Sequence, residues 1–213
     1  MKRKFYLAAL SLGAFALWTA AVRYVDVAAI GPLGSAVGFA SLNGFFHRFT
    51  GVHMWLYTAT DWLSLIPVGF VLAFALLGLM QWISRRSLRN VDFSIFILGG
   101  FYMAVLAVFV FFELFPVNYR PVLIEGVLEA SYPSSTTLLV MCMMPTAAMQ
   151  LRGRIRNSGL RRGTLFAITV FSALMVLGRL VSGVHWLTDI IGGALLSAGL
   201  VLLYDAVCGL AEG

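Results

Sequence analysis

The sequence predicts an all-α membrane protein: one bundle of six transmembrane helices with both termini on the cytoplasmic side. Three observations predict it. First, 61% of the 213 residues are hydrophobic, only 11% are charged, and the mean hydropathy is +0.93. A soluble domain carries about 45–50% apolar and about 25% charged residues. Second, uncharged runs near the length needed to cross the bilayer core, about 20 residues, recur along the chain. Third, the 15 basic residues gather in short loops between those runs, which is how a membrane protein sets its orientation. The composition excludes a water-soluble enzyme, a disordered chain and a disulfide-stapled secreted domain. The net charge of +6 therefore reports topology, and no nucleic-acid partner is expected.

The spans follow in order. Residues 5–22 come after Lys2, Arg3 and Lys4. Small residues at Leu12-Gly13-Ala14 and Thr19-Ala20-Ala21 also suit a cleavable signal peptide, but five further spans favour a retained helix. The others are 62–84, opening after Asp61; 93–113, closed by Glu113; 133–151, ended by Arg152; 163–183, carrying Arg179; and 188–206, opening at Asp189. One more uncharged run, 27–46, holds Gly31, Pro32, Gly34, Gly38, Asn43 and Gly44. That composition suits a loop or re-entrant segment better than a lipid-facing helix. Leaving it out puts 11 of the 15 basic residues on one side, with Arg23, Arg48, Arg120 and Arg179 on the other. The basic side is read as cytoplasmic. Residues 23–61 then form an outer segment. Its stretch from Phe45 to Trp62 reads equally as an interfacial helix, with Trp55, Tyr57 and Trp62 at headgroup level, or as an ordered connector. Cys142 and Cys208 are not placed to pair. Residues 1–213 read as a single membrane domain.

Ionisable residues at membrane depth are costly and mark function by default. Here they gather at one level. Glu113 closes the third span, Arg120-Pro121 follows, Pro133-Ser134-Ser135-Thr136 opens the fourth span, Arg179 sits near the end of the fifth, and His185 and Asp189 open the sixth. The loop charges put all of them on the outer face. His185 and Asp189 are four apart, on one face of a helix. An aspartate can fix the imidazole tautomer and leave the other ring nitrogen free to attack. Arg120 and Arg179 present planar forks suited to phosphate. Ser134 and the first-turn N–H groups of the fourth helix add an anion site. The set fits phosphoryl transfer through a phosphohistidine.

The string GRLVSGVHWLTDIIGG, with Arg179, His185 and Asp189 at its motif positions, closely resembles the third signature of the type-2 phosphatidic acid phosphatase superfamily, which also includes vanadium haloperoxidases. Arg120-Pro121 resembles the end of the first signature and Pro133-Ser134 the start of the second. The resemblance covers roughly residues 60 to 206. It implies His185 as nucleophile, Asp189 as its orienting partner, and Arg120, Arg179 and Ser134 as holders of the phosphoryl oxygens. It implies no metal and no cofactor. Its membrane members act on lipid phosphates and diphosphates.

Four positions depart from the family pattern. Glu113 stands where the first signature has Lys, changing the local charge by two units. Ser134-Ser135-Thr136 replaces Ser-Gly-His, so Thr136 stands in place of the general acid, and a threonine hydroxyl is too weak an acid for that task. Gly178 replaces the Ser before the arginine. Two functions follow. One is a lipid phosphatase in the cell membrane, facing outwards, that favours a polyprenyl diphosphate such as undecaprenyl diphosphate, whose leaving group needs little protonation. In it, Glu113 is a candidate acid, with Ser135 and Thr136 as further candidate site residues. The alternative is a polyprenyl-phosphate binding or translocation protein with little or no turnover. A vanadate-dependent peroxidase and a small-solute transporter fit less well; the latter lacks paired polar residues at the bilayer midplane.

Overall fold

The structure, a computed structural model, describes residues 2–210. The described residues form eight α-helices: α1 Lys2–Tyr24, α2 Ala40–Thr50, α3 Met54–Leu63, α4 Leu65–Arg85, α5 Phe93–Leu114, α6 Ser135–Arg154, α7 Ser158–Val181 and α8 Leu187–Cys208. Among the described residues, five helical stretches are long and apolar enough to cross a membrane: α1, the run Met54–Arg85, α5, α7 and α8. The protein is therefore a multi-pass, all-helical membrane protein.

The expected fourth span is α6, which is more polar than the other five. The reason is its position. It packs against α4, α5, α7 and α8, and ten of its residues are buried, including Thr136, Thr137, Thr146 and Gln150. A helix surrounded by protein satisfies polar side chains that lipid would not. The helix expected at 62–84 starts earlier, because α3 and α4 run on through Ser64, itself in helical conformation (φ −64°, ψ −15°). Asp61, taken from the sequence as a boundary, does not break the helix. Its carboxylate faces Arg179 at 3.5 Å.

Two apolar clusters hold the bundle. The larger joins Phe74 of α4, Leu98 and Phe101 of α5, Leu138 and Cys142 of α6, and Leu196 of α8. The smaller joins Val140 and Met144 of α6 to Ile168 and Met175 of α7. α1 lies along α8. At the end carrying most of the basic residues, Asp92 accepts from Gln81 at 2.8 Å and pairs with Arg85 at 3.0 Å and Arg154 at 3.4 Å, while Lys4 pairs with Asp205 at 2.7 Å. The Asp92 bonds tie α4, α5 and α6 together, and the Lys4–Asp205 pair ties α1 to α8.

At the opposite end, two segments roof the bundle. The first is residues 25–63. A loop closed by an antiparallel bridge between Ala28 and Val37 leads into α2, which turns Leu42, Phe45 and Phe49 outwards along one stripe and Asn43 inwards. Asn43 donates to Thr188 Oγ1 at 2.9 Å. The second is a narrow hairpin between α5 and α6. Glu125 (φ +50°) and Gly126 (φ +81°) make its tip, both in the positive-φ region that a type I′ turn requires. Arg120 N–H donates to the Glu129 carbonyl and Ser131 N–H to that of Asn118.

The turn between α7 and α8, residues 182–186, lies beneath the first roof. His53 N–H donates to the Ser182 carbonyl at 2.9 Å. Gly183 has φ +70°, and a Cβ there would stand 1.9 Å from the Gly51 carbonyl oxygen. Both the backbone conformation and the close approach demand glycine. Gly183→Ala is expected to destabilise the protein by about 2–4 kcal/mol, read as a lower unfolding midpoint in detergent. An unchanged midpoint would show that the roof yields at no cost.

Candidate active site

His185 sits in the α7–α8 turn and is 3% exposed. Its Nδ1 lies 3.2 Å from the Ser131 carbonyl oxygen. A carbonyl only accepts, so Nδ1 carries the proton and Nε2 keeps its lone pair. Nε2 is buried and has no hydrogen-bond partner. That is the state a nucleophilic imidazole requires.

Asp189 opens α8 and is fully buried. Its Oδ2 accepts from the Trp186 N–H at 2.9 Å, capping the helix. Its Oδ1 accepts from Asn118 Nδ2 at 3.3 Å. Ser131 Oγ donates to Oδ2. From Asp189 Oδ2 to His185 Nδ1 the distance is 3.8 Å, beyond a hydrogen bond. The sequence suggests a direct Asp189–His185 bond. In the structure Ser131 stands between them, its hydroxyl 3.4 Å from Nδ1, so the carboxylate orients the ring largely through that serine. Burial lowers the His185 pKa from 6.5 to about 4; the charges of Arg120 and Arg179 add to the effect, and Asp189 opposes it. The imidazole is therefore neutral at physiological pH.

Arg120 comes from the hairpin and Arg179 from α7; they are 7% and 1% exposed. Arg179 Nη1 donates to the Tyr57 carbonyl at 3.2 Å and to Thr60 Oγ1 at 3.1 Å, and Nη2 faces Asp61. Arg120 Nε lies 3.0 Å from Glu129 Oε2, although the pair is not aligned as a hydrogen bond. Both guanidinium groups stand over the Tyr57 ring, Arg179 at 4.5 Å and Arg120 at 5.7 Å from its centroid. Arg120 Nη1 and Arg179 Nε are buried donors without a partner. Unpaired buried donors of this kind are costly unless a ligand satisfies them.

The remaining candidates divide. Ser134 is fully buried and caps α6, its Oγ accepting from Thr137 N and Oγ1. Its N–H donates to the Asp189 carbonyl at 3.1 Å, which joins the starts of α6 and α8. Ser135 and Glu113 line a cavity of about 530 Å³ with Tyr119, Arg120 and Glu129. Glu113 is exposed. Ser135 and Thr136 also head an apolar groove of about 490 Å³ between α4, α5 and α6, lined by Val105, Leu106 and Leu139 among others. Gly178 packs closely on α3: a Cβ there would lie 2.9 Å from Thr60 Cγ2, so a serine would require Thr60 to shift.

Sequence reasoning missed Tyr57, Thr60, Asn118 and Ser131. For two of them a signal exists. Glu125-Gly126 marks a tight turn that brings the two arms around Asn118 and Ser131 together, although even pairing about it would set Asn118 opposite Pro133; the Tyr119–Ala130 bridge shifts the register by two and brings Ser131 to Asn118. Nothing local marks Tyr57 and Thr60, because their partner Arg179 lies more than a hundred residues away.

The sequence profile of the PAP2 superfamily matches residues 113–207. No curated protein sequence matches the chain. The fold is similar to the crystal structure of a transmembrane PAP2-type phosphatidylglycerolphosphate phosphatase from Bacillus subtilis, with TM-score 0.62 and 17% identity, covering 96% of this chain and 97% of that one. The profile match covers the hairpin, Ser134, Arg179, His185 and Asp189, and the fold similarity extends across the bundle: over residues 113–207 the chain is similar to the PAP2 superfamily.

Proposed function

We propose that the protein is a membrane lipid phosphatase that works through phospho-His185. One observation carries the reading: a buried, unpartnered Nε2 on His185, with two unpartnered arginine donors in the same site. The phosphoryl group of a lipid phosphate satisfies all three. Arg120 and Arg179 hold its oxygens, supported by the N-terminus of α6 behind Ser134. Nε2 forms a bond to phosphorus as the bond to the leaving oxygen breaks, and that oxygen takes the electron pair. Water then attacks the phosphohistidine, releasing inorganic phosphate and regenerating the neutral ring.

The substrate preference follows from the missing acid. Thr136 cannot protonate an alkoxide, and general acid assistance is typically worth about 10²–10⁴-fold. A diphosphate leaves as a phosphate ester and needs little of that help. A polyprenyl diphosphate is thus the preferred substrate, with its tail in the bilayer. The outer membrane face is the preferred location, supported by the basic residues at the other end of the bundle, with α6 completing six spans and both termini inside.

Purified full-length protein in detergent with a chelator is expected to release phosphate from undecaprenyl diphosphate faster than from phosphatidic acid. His185→Ala should lower release by at least about 10³-fold, and a short incubation with labelled substrate should leave phosphate on wild type and none on the variant. Preference for phosphatidic acid would refute the substrate assignment alone. Binding of a lipid phosphate with no His185-dependent release would instead establish the polyprenyl-phosphate binding function.

The lowered pKa of His185 makes a second prediction. Between pH 6.5 and about 4 the unfolded chain binds a proton at this ring that the folded protein does not. Stability should therefore fall as the pH drops through that window. Unfolding midpoints measured across it are expected to fall less steeply in His185→Gln than in wild type.

A further inference from the structure

Tyr57 lies in the outer segment, outside the region that the superfamily profile covers, yet both site arginines converge on it. Arg179 stands 4.5 Å and Arg120 5.7 Å from its ring centroid. The same turn of α3 holds Arg179 in three other ways: the Tyr57 carbonyl, Thr60 Oγ1 and the Asp61 carboxylate. Thr60 is itself fixed, 2.8 Å from the Leu56 carbonyl and 2.9 Å from that of Tyr57.

Two guanidinium cations in one buried site repel each other, and the repulsion is strongest before an anion arrives. Each has one carboxylate: Asp61, whose side chain is 61% exposed, and Glu129, 39% exposed. Partners this exposed are screened by water and hold their cations weakly. The Tyr57 ring adds an electron-rich π system that both cations approach. Such contacts strengthen when they are desolvated.

We propose that Tyr57 is a positioning residue of the phosphate site: its ring holds Arg120 and Arg179 side by side, with unpaired N–H groups left free for a phosphoryl group. The residue acts through the arginines and has no part in bond making. The proposal rests on the reading of these arginines as a phosphate site. Pre-organised donors lower the ordering cost of binding, so Tyr57 sets affinity more than turnover.

The test uses full-length protein in detergent and orthovanadate as a phosphate mimic, with binding measured by calorimetry. Tyr57→Phe should bind within about twofold of wild type, because the ring remains. Tyr57→Leu should bind about tenfold more weakly and raise KM more than it lowers kcat. Should Tyr57→Leu fold poorly, phenylalanines carrying one, two and three ring fluorines at position 57 keep the shape and weaken the ring face in steps. Affinity falling stepwise with fluorination supports the proposal. Affinity that is flat across the series, or equal loss in Tyr57→Phe and Tyr57→Leu, overturns it. If wild type binds no orthovanadate, the phosphate site itself fails and the proposal with it; wild-type binding that Tyr57→Leu retains in full overturns the proposal alone.

Discussion

A fully buried carboxylate must be paid for by hydrogen bonds, and Asp189 collects them from three separate parts of the chain. Trp186 N–H comes from the α7–α8 turn, and Asn118 and Ser131 from the two strands of the hairpin. The backbone carbonyl of the same residue accepts from Ser134 at the start of α6. Satisfying one charge therefore fixes the hairpin against α8 and places the Ser131 carbonyl beneath His185, while the backbone bond joins the start of α6 to that of α8. The tautomer of the histidine is a consequence of that arrangement. Remove the carboxylate and each of those donors loses its partner in a site closed to water.

The cationic half of the site is organised differently. Arg120 and Arg179 come from the hairpin and α7, and neither is held by the Asp189 network. Their support comes from α3 and from Glu129, on the solvent side. Two kinds of pre-organisation thus meet at one place: a rigid, buried hydrogen-bond network orients the histidine, and a more exposed set of ring and carboxylate contacts orients the arginines. Two of the departures from the family pattern, Glu113 and Gly178, fall on the cationic side. Gly178 leaves room for Thr60, which supplies a hydroxyl to Arg179 from another helix. Glu113 lies at the mouth of the cavity beside Arg120, apart from the buried network.

Much of this was legible along the chain. The spans are visible because a bilayer imposes a length and an apolar composition on each lipid-facing helix, and α1, α5, α7 and α8 obey both. α6 is harder to read, since a helix enclosed by four others answers to its neighbours and tolerates Thr146 and Gln150. Arg179, His185 and Asp189 are visible because a helix and its preceding turn hold them at fixed spacing. Asp61 misled as a boundary, because a charge at the end of a span can be paired and the helix can run through it.

The sequence by itself determined the class of fold, the ends of the helices at which the polar residues gather, and the residue types that meet there. These are local properties, set by composition and by spacing within one helix or turn. Tertiary structure alone decided that Ser131 stands between Asp189 and His185, that Thr60 fills the space beside Gly178, and that one tyrosine ring faces both arginines. Each of those contacts joins elements more than fifty residues apart, so its geometry depends on how whole helices pack, which no single stretch of sequence encodes.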